Sequence, residues 1–542
     1  MKKNILKVLM GAVLALVVMA SCSELDVDVK SEFVEENFPT TPEDFEALSG
    51  GVYNELKHEL FILWFCLECS GDAMMLPANN GGGWFDGGRY RDLHMHTWPT
   101  DHQFITRAWN KFFAGITQCN ITLDAYKNAE DNDVKTRAVA EMRGMRAYYY
   151  YMLMDMFGGV PIINEFGEIV ETRNTRKETY EFIESELLEI MDDLSSASDK
   201  STYSKVNKWT AYALLAKMSL NAPVYIGENR ANDVVKYCDA VINEATTNGT
   251  FELTDDYMSV FHYQNGPEIK DIIFAIPFDG WFDTNNNYAL FFARYWMTKP
   301  FQNAWGIKKG SGPMRAQPVF YDLFTEDQND ERNAQWLTGP QYDLEGNPII
   351  MELTYEELDA VKYAGTELAA RDTAWHIEFT KEVNIPNTES WQLIAKDQVR
   401  QHEGYRSVKF FPDVNNSVPD RRQSNDFPIF RYADILLMKA EAITLQGASS
   451  SDDALSLVNA VRARSSASLF TADEIDSEEE FLAERGREFA FENWRRNDMI
   501  RLGAFESSYT FKTDDNLKKR LFPIPQEAIE ANPLLNQNPG YN

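Results

Sequence analysis

The sequence predicts a mostly α-helical protein: a scaffold of TPR-like helical pairs carrying a long irregular, aromatic-rich region, with little β-structure. Three observations predict it. Apolar residues recur every three or four positions through successive segments joined by short connections. Alanines such as Ala211, Ala213 and Ala216 fall where stacked helix pairs approach closely. Between residues 246 and 425 the helical period disappears, Gly, Pro and Asn rise, and six of the twelve tryptophans gather. No strict 34-residue identity recurs, so the repeats are degenerate; a non-repetitive helical domain is the alternative.

The chain begins with Lys2, Lys3 and Lys7, followed by an apolar run from Val8 to Met19. That run is too short to span a bilayer, which needs about 20 apolar residues. Residues 1–21 therefore read as a signal peptide. The small residues Ala20 and Ser21 lead into Cys22, and this junction resembles a bacterial lipobox, with Met19 where leucine is usual. The resemblance implies cleavage before Cys22 and its acylation, an anchor to a membrane rather than a span. A plain secretory signal with an incidental cysteine is the alternative. Residues 22–38 read as a lipidated, acidic tether, and residues 39–542 as a single unit. Within it, 39–245 is helical, 246–425 is the irregular ligand-binding region, and 426–542 is helical again.

The helices follow in order. Trp109, Phe112, Phe113, Ile116 and Cys119 form one apolar face. Asp133 to Phe157 forms a long helix, stopped by Gly158, Gly159 and Pro161. Tyr180 to Leu194, Trp209 to Leu220 and Val234 to Ile242 mark three more. Near the C-terminus the pattern predicts helices over Ile429–Leu445, Ala454–Arg464 and Glu478–Phe491.

The formal charge is −32, and losing Lys2, Lys3 and Lys7 with the signal would lower it by three to −35. Such a field repels nucleic acid and anionic lipid headgroups. Cys66, Cys69, Cys119 and Cys238 are too few for a disulfide framework. Cys66 and Cys69 form a lone C-x-x-C, read as buried core residues rather than as zinc or redox ligands.

Several chemistries were weighed. His94, His96 and His102 are the sharpest metal candidate, yet an H-x-H pair needs further ligands and a structural role is favoured. Asp72, Asp86 and Asp92 could supply a carboxylate pair for glycoside cleavage, though no feature marks one out. There is no G-x-S-x-G, no P-loop and no G-x-G-x-x-G after a strand. Gly81–Gly83 is a poor phosphate cradle, because Trp84 follows where a helix should begin. No loop reads as an EF-hand, and no cofactor is expected. What remains is binding, in which aromatic faces stack on sugar rings. Trp109 and Trp209 belong to helix faces and read as core. Trp84, Trp281, Trp296 and Trp305 lie in loop-like contexts and are the better candidates. With them go Phe85, Asp86, Asp72, Arg89, Tyr295 and Trp336 as candidate ligand contacts.

Five segments then carry a resemblance. "AEMRGMRAYYYYMLMDMFGGVP" (140–161), "FRYADILLMKAEA" (430–442), "ALSLVNAVRARS" (454–465), "ERGREFAFENWRRNDMIRLG" (484–503) and "LFPIPQEAIEANPLLNQNPGY" (521–541) resemble the hallmarks of SusD/RagB-like outer-membrane lipoproteins. The resemblance implies four TPR-like units, a surface-facing outer-membrane location with lipid on Cys22, and a SusC-type TonB-dependent transporter as partner. It implies capture of oligosaccharides, or in some members peptides, without catalysis. Glu24, Asp26 and Asp28 look like surface-export signals, with a merely flexible tether as the alternative. Glu141, Arg143, Arg146, Arg431, Asp434, Glu441, Arg485 and Glu488 are expected to form structural ion pairs along helices rather than an active site. A lipid-anchored glycan-degrading hydrolase, and a helical assembly protein that binds only its membrane partner, are the competing readings. The charge favours a neutral glycan; Arg89, Arg91 and Arg294 are available for a carboxylated one.

Overall fold

The computed structural model describes residues 38–541, except 80–81, 170–171, 284–288, 354–373, 394–398, 416, 418–421 and 448–450. Cys22, the signal and most of the tether lie outside the described residues. Among the described residues no helix is long and apolar enough to cross a membrane.

The frame is a stack of helices: α1 (Pro42–Cys69), α2 (Gln103–Tyr126), α3 (Asp133–Phe157), α4 (Arg176–Ile190), α5 (Lys208–Leu220) and α6 (Ala231–Asn248). After the irregular region come α7 (Tyr432–Thr444), α8 (Ser451–Arg464), α9 (Glu478–Glu488) and α10 (Arg495–Arg501). α1 packs on α2, α3 on α4, α5 on α6 and α7 on α8, while α2/α3 and α6/α7 join neighbouring pairs.

Local chemistry sets the helix ends. Thr41 and Asp44 close a reciprocal capping box at the start of α1, with Pro42 in its first turn. The Asn132 side chain caps α3 by accepting from the amides of Val134 and Lys135, each at 2.9 Å. The α2–α3 approach depends on Gly115, where a Cβ would lie 2.5 Å from the Tyr149 ring.

One expected helix begins later than its sequence pattern. Phe427–Arg431 is a strand (β2), antiparallel to Ile272–Ile276 (β1), with Phe427 opposite Ile276. Both strands are buried on both faces, so their apolar runs show no alternation and read equally well as helix. The other ribbons are two or three residues long. They include Met74–Met75 with Arg315–Ala316, and Ile350–Glu352 with Ala374–His376.

The irregular region is not a flap. Its side chains share one continuous apolar core with the helices. A small second cluster of Met75, Val383, Ile385, Trp391 and Leu393 sits beneath Phe85.

The charged residues of the sequence motifs do form ion pairs, but across elements rather than along one helix. Arg431 reaches Asp271 (2.7 Å), Glu488 (2.9 Å) and Glu492 (2.7 Å). Asp434 pairs with Lys217 (2.6 Å) and Arg485 (3.0 Å), and Glu441 with Arg501 (2.6 Å). Arg143 and Arg146 both grip Glu186 on α4, each at 2.6 Å. Glu141 accepts from the Tyr53 hydroxyl at 2.7 Å instead of pairing with a cation. Buried charges tie the helices together this way because an unpaired charge there would be costly.

Candidate functional site

Ten of the twelve tryptophans are buried; Trp84 is half-buried and Trp281 is 58% exposed. The question is what lies between these two.

Trp84 sits on a loop wound by glycines. Its own φ is +68°, and Asp86 has φ +45°, left-handed conformations that are uncommon for residues with a side chain. Such backbone is held only when its surroundings over-determine it. Here the Asn79 amide donates to the Gly83 carbonyl (2.7 Å), and the Gly88 amide to the Phe85 carbonyl (2.7 Å). Gly88 is required by its φ of +87°. Arg91 donates to the Glu389 carbonyl (2.5 Å), and Arg89 to the Asp86 carbonyl (2.9 Å). The result holds the Trp84 indole edge-on to Tyr295, with centroids 4.9 Å apart, and beside Tyr90 at 6.0 Å.

From Tyr295 the aromatics continue to Phe291 (4.2 Å), on the short helix Leu290–Arg294, and to Phe61 of α1, stacked on Phe291 at 4.6 Å. One helical turn before Phe61, on the same face of α1, Lys57 forms an ion pair with Asp283. Asp283 closes the loop that carries Trp281 and Phe282, the latter 84% exposed. Main-chain bonds hold that loop. Asp279 Oδ1 accepts from the amides of Trp281 (2.8 Å) and Phe282 (3.1 Å), and Ser424 Oγ accepts from Gly280 (3.0 Å). Asp426 accepts from the Phe278 amide (2.8 Å) and the Tyr203 hydroxyl (2.7 Å); burial pushes its pKa up to about 6. Phe61, Phe291, Tyr295 and Trp84 thus form one run of neighbouring rings, buried at Phe61 and Tyr295, and Lys57 ties the Trp281–Phe282 loop to the same helix. Clefts of about 510, 560 and 600 Å³ are lined by other residues.

Several expected contacts are corrected by their surroundings. Trp296 is fully buried, donating to the Ala293 carbonyl (2.9 Å) and packing edge-on to Trp305 (5.2 Å). Trp305 is buried and donates to the Tyr342 carbonyl (3.2 Å). Trp336 is buried among Phe320, Tyr321, Phe324 and Phe491. These three are core. Asp72 is also withdrawn: both carboxylate oxygens accept from Arg495 at 2.7 Å. Tyr295 is buried but faces Trp84. Phe85 is half-buried under the Arg91 guanidinium (5.7 Å), Arg89 lies over Phe104 (5.0 Å), and Asp86 is exposed at the loop tip. Lys57, Phe61 and Phe291 were not anticipated. The signal for Phe61 and Lys57 was the Thr41-Pro42-x-Asp44 helix start.

The histidines serve the fold. His94 lies between the Thr510 carbonyl and the Gln317 amide, and burial lowers its pKa to about 4, so it is neutral. His96 faces the Ser70 carbonyl at 3.0 Å, and His102 Nδ1 accepts from the Ile105 amide at the start of α2. Among the described residues no three His, Cys, Asp or Glu side chains gather to hold a metal. Cys66 and Cys69 are buried free thiols whose pKa burial raises.

Fold and site together define a helical-pair protein that brings two tryptophans, Trp84 and Trp281, to its surface. The sequence model of the SusD family matches residues 241–541, and a second, described as starch-binding associating with outer membrane, matches residues 84–220. The chain belongs to the SusD family. It is 25% identical over 482 residues to the starch-binding protein SusD of Bacteroides thetaiotaomicron, covering 82% of this chain and 80% of that one. Among solved structures, a SusD superfamily protein from Parabacteroides distasonis superposes with a TM-score of 0.68 at 23% identity, covering 92% and 99% of the two chains. Surface glycan-binding protein A from Bacteroides thetaiotaomicron, in complex with laminarihexaose, gives 0.64 at 19% identity and the same coverage. At these identities the structures speak for the fold.

Proposed function

We propose that this protein is a non-catalytic cell-surface lipoprotein that captures oligo- or polysaccharide on the Trp84–Trp281 platform. It then delivers the ligand to a SusC-type TonB-dependent transporter in the outer membrane, to which lipid on Cys22 holds it. The observation that carries the reading is the selective placement of tryptophan. Ten are core, and the two that reach the surface flank one aromatic band assembled from segments about 200 residues apart. Exposed aromatic faces suit the apolar faces of pyranose rings. The family supports the same reading, since named relatives bind starch and laminarihexaose.

Of the carboxylates near the band, Asp92 binds Arg91 (2.7 Å), Asp279 main-chain amides and Asp283 Lys57, while exposed Asp86 lies 3.8 Å from Arg89; of these four only Asp86 is uncommitted, and glycoside cleavage needs a pair. This favours capture over glycoside cleavage. The test is affinity electrophoresis against a panel of plant, fungal and bacterial polysaccharides, with released reducing ends assayed for each hit. Retardation without release is expected; release by the pure protein overturns the reading. Copurification with a SusC-type transporter from the outer membrane tests the delivery step.

A further inference from the structure

A cleft of about 560 Å³ opens between the first turn of α4, the Asn221–Tyr225 segment, α10 and the C-terminal segment. Its walls include Asp155, Arg176, Tyr225, Asn497, Arg501 and Lys518. It lies apart from the aromatic platform and shares none of its residues.

Arg176 is the unusual member. Its guanidinium stacks on the Tyr225 ring at 4.4 Å, which fixes its plane. Its Nε is buried with no hydrogen-bond partner. Its two Nη contacts, to the Val224 carbonyl (3.5 Å) and the Asp155 carbonyl (3.4 Å), exceed the normal range for such bonds. Among the described residues no carboxylate pairs with it. Asp155, the one acidic residue of the lining, points its Oδ1 at the Tyr225 hydroxyl (2.7 Å) and the Asn497 amide (2.8 Å) instead. The other arginines of the wall are satisfied: Arg501 by Glu441 and Asp498, Arg520 by Glu506. Lys518, exposed at the mouth, forms no ion pair among the described residues.

A chain of formal charge −32 therefore keeps a preoriented, under-bonded guanidinium and a free ammonium in one cleft. The Nε is closed off from solvent, so the donors open to a ligand are the two part-buried Nη groups, whose long carbonyl contacts leave them under-bonded. We propose that this cleft is an oxyanion site, taking the planar carboxylate or the sulfate of an acidic ligand on the Arg176 fork, with Lys518 at its rim. Guanidinium donors match such groups two at a time. The ring of Tyr225 is already covered by Arg176, so the site reads charge rather than a sugar face.

The test is isothermal titration of the full-length chain with sodium glucuronate and, separately, sodium sulfate at fixed ionic strength. Saturable binding is expected for at least one probe, weakened about tenfold or more in Arg176→Gln, since a charge-assisted pair is lost. Preference for glucuronate identifies a carboxylated ligand, and preference for sulfate a sulfated or inorganic one. Lys518→Glu, on the surface, leaves folding intact and is expected to weaken binding about threefold or more by charge reversal. Trp84→Ala leaves the anion isotherm unchanged, which separates this site from the platform. Absence of saturable heat with both probes overturns the proposal. So does an isotherm unchanged in Lys518→Glu, or one unchanged in a folded Arg176→Gln.

Discussion

Trp281→Ala isolates the platform from the fold. With about 250 Å² for a tryptophan side chain, 58% exposure leaves about 145 Å² in solvent. One sugar ring covers one indole face, about half of that. At about 25 cal/mol per Å², roughly 70 Å² is about 1.8 kcal/mol, or about twentyfold in Kd. The loop itself does not depend on the ring, because the Asp279 carboxylate and Ser424 hydroxyl hold its main chain. The covered part of the side chain, about 105 Å², caps the lost stability at about 2.6 kcal/mol by the same coefficient, so the variant is expected to fold. The assay is titration of wild type and variant with the polysaccharide that retards the protein, beside urea unfolding of both. A Kd within about twofold of wild type, in a variant that unfolds cooperatively, would refute the assignment of Trp281 to the platform.

Four other outcomes are expected. Trp296→Ala, at a fully buried site, lowers unfolding free energy by about 3–5 kcal/mol, and denaturant midpoints measure it. Asp72→Asn removes one side of the buried pair with Arg495; it costs about 3–5 kcal/mol of stability and leaves glycan affinity per folded molecule unchanged in the same titration. Burial raises the Glu68 pKa to about 8, and its Oε2 has no partner. The folded state holds that proton more tightly than the unfolded chain, so this group's contribution to stability falls as pH rises from about 4.5 to about 8. Glu68→Gln is thus more stable than wild type at pH 9 relative to their difference at pH 4, as urea unfolding at the two pH values will show. Cys22→Ser abolishes palmitate labelling and releases the protein from the membrane fraction.

How far the sequence could be read depended on how local each signal was. The bounds of α3 were legible because Asn132 caps one end, while Gly158 (φ +80°) and Pro161 stop the other. β2 was not, because a strand buried on both faces has no period-two alternation and runs directly into α7. α1 carries no clear periodic mark, because its second half, Leu60–Cys69, is buried nearly all round and presents no single apolar stripe. The tryptophans show the same limit. Loop composition marks Trp84 and Trp281, which reach the surface, and Trp296 and Trp305, which do not, identically. Only their mutual contact and their shared packing within the core distinguish them. That Trp84 meets Tyr295, some 211 positions along the chain, is a tertiary fact without local signature.

The charge distribution links the two binding regions. The interior arginines are largely matched by interior carboxylates: Arg332 by Asp330 and Glu484, Arg431 by Asp271, Glu488 and Glu492, Arg485 by Asp434 and Asp498. Matched pairs cancel, so the excess negative charge is carried mainly by the surface, where it repels a long polyanion over its whole length. An uncharged glycan meets no such barrier and can be held by aromatic faces, as the Trp84–Trp281 platform offers. A single anionic group is a different problem. It needs only one local site where the field reverses, and Arg176 with Lys518 supplies that reversal. The platform and the cleft are therefore compatible on one acidic protein, provided the anion is small or is one charged group on an otherwise neutral chain. Raising the salt concentration should accordingly weaken glucuronate or sulfate binding in the cleft while leaving neutral-glycan binding on the platform unchanged. Equal salt sensitivity of the two would break this separation.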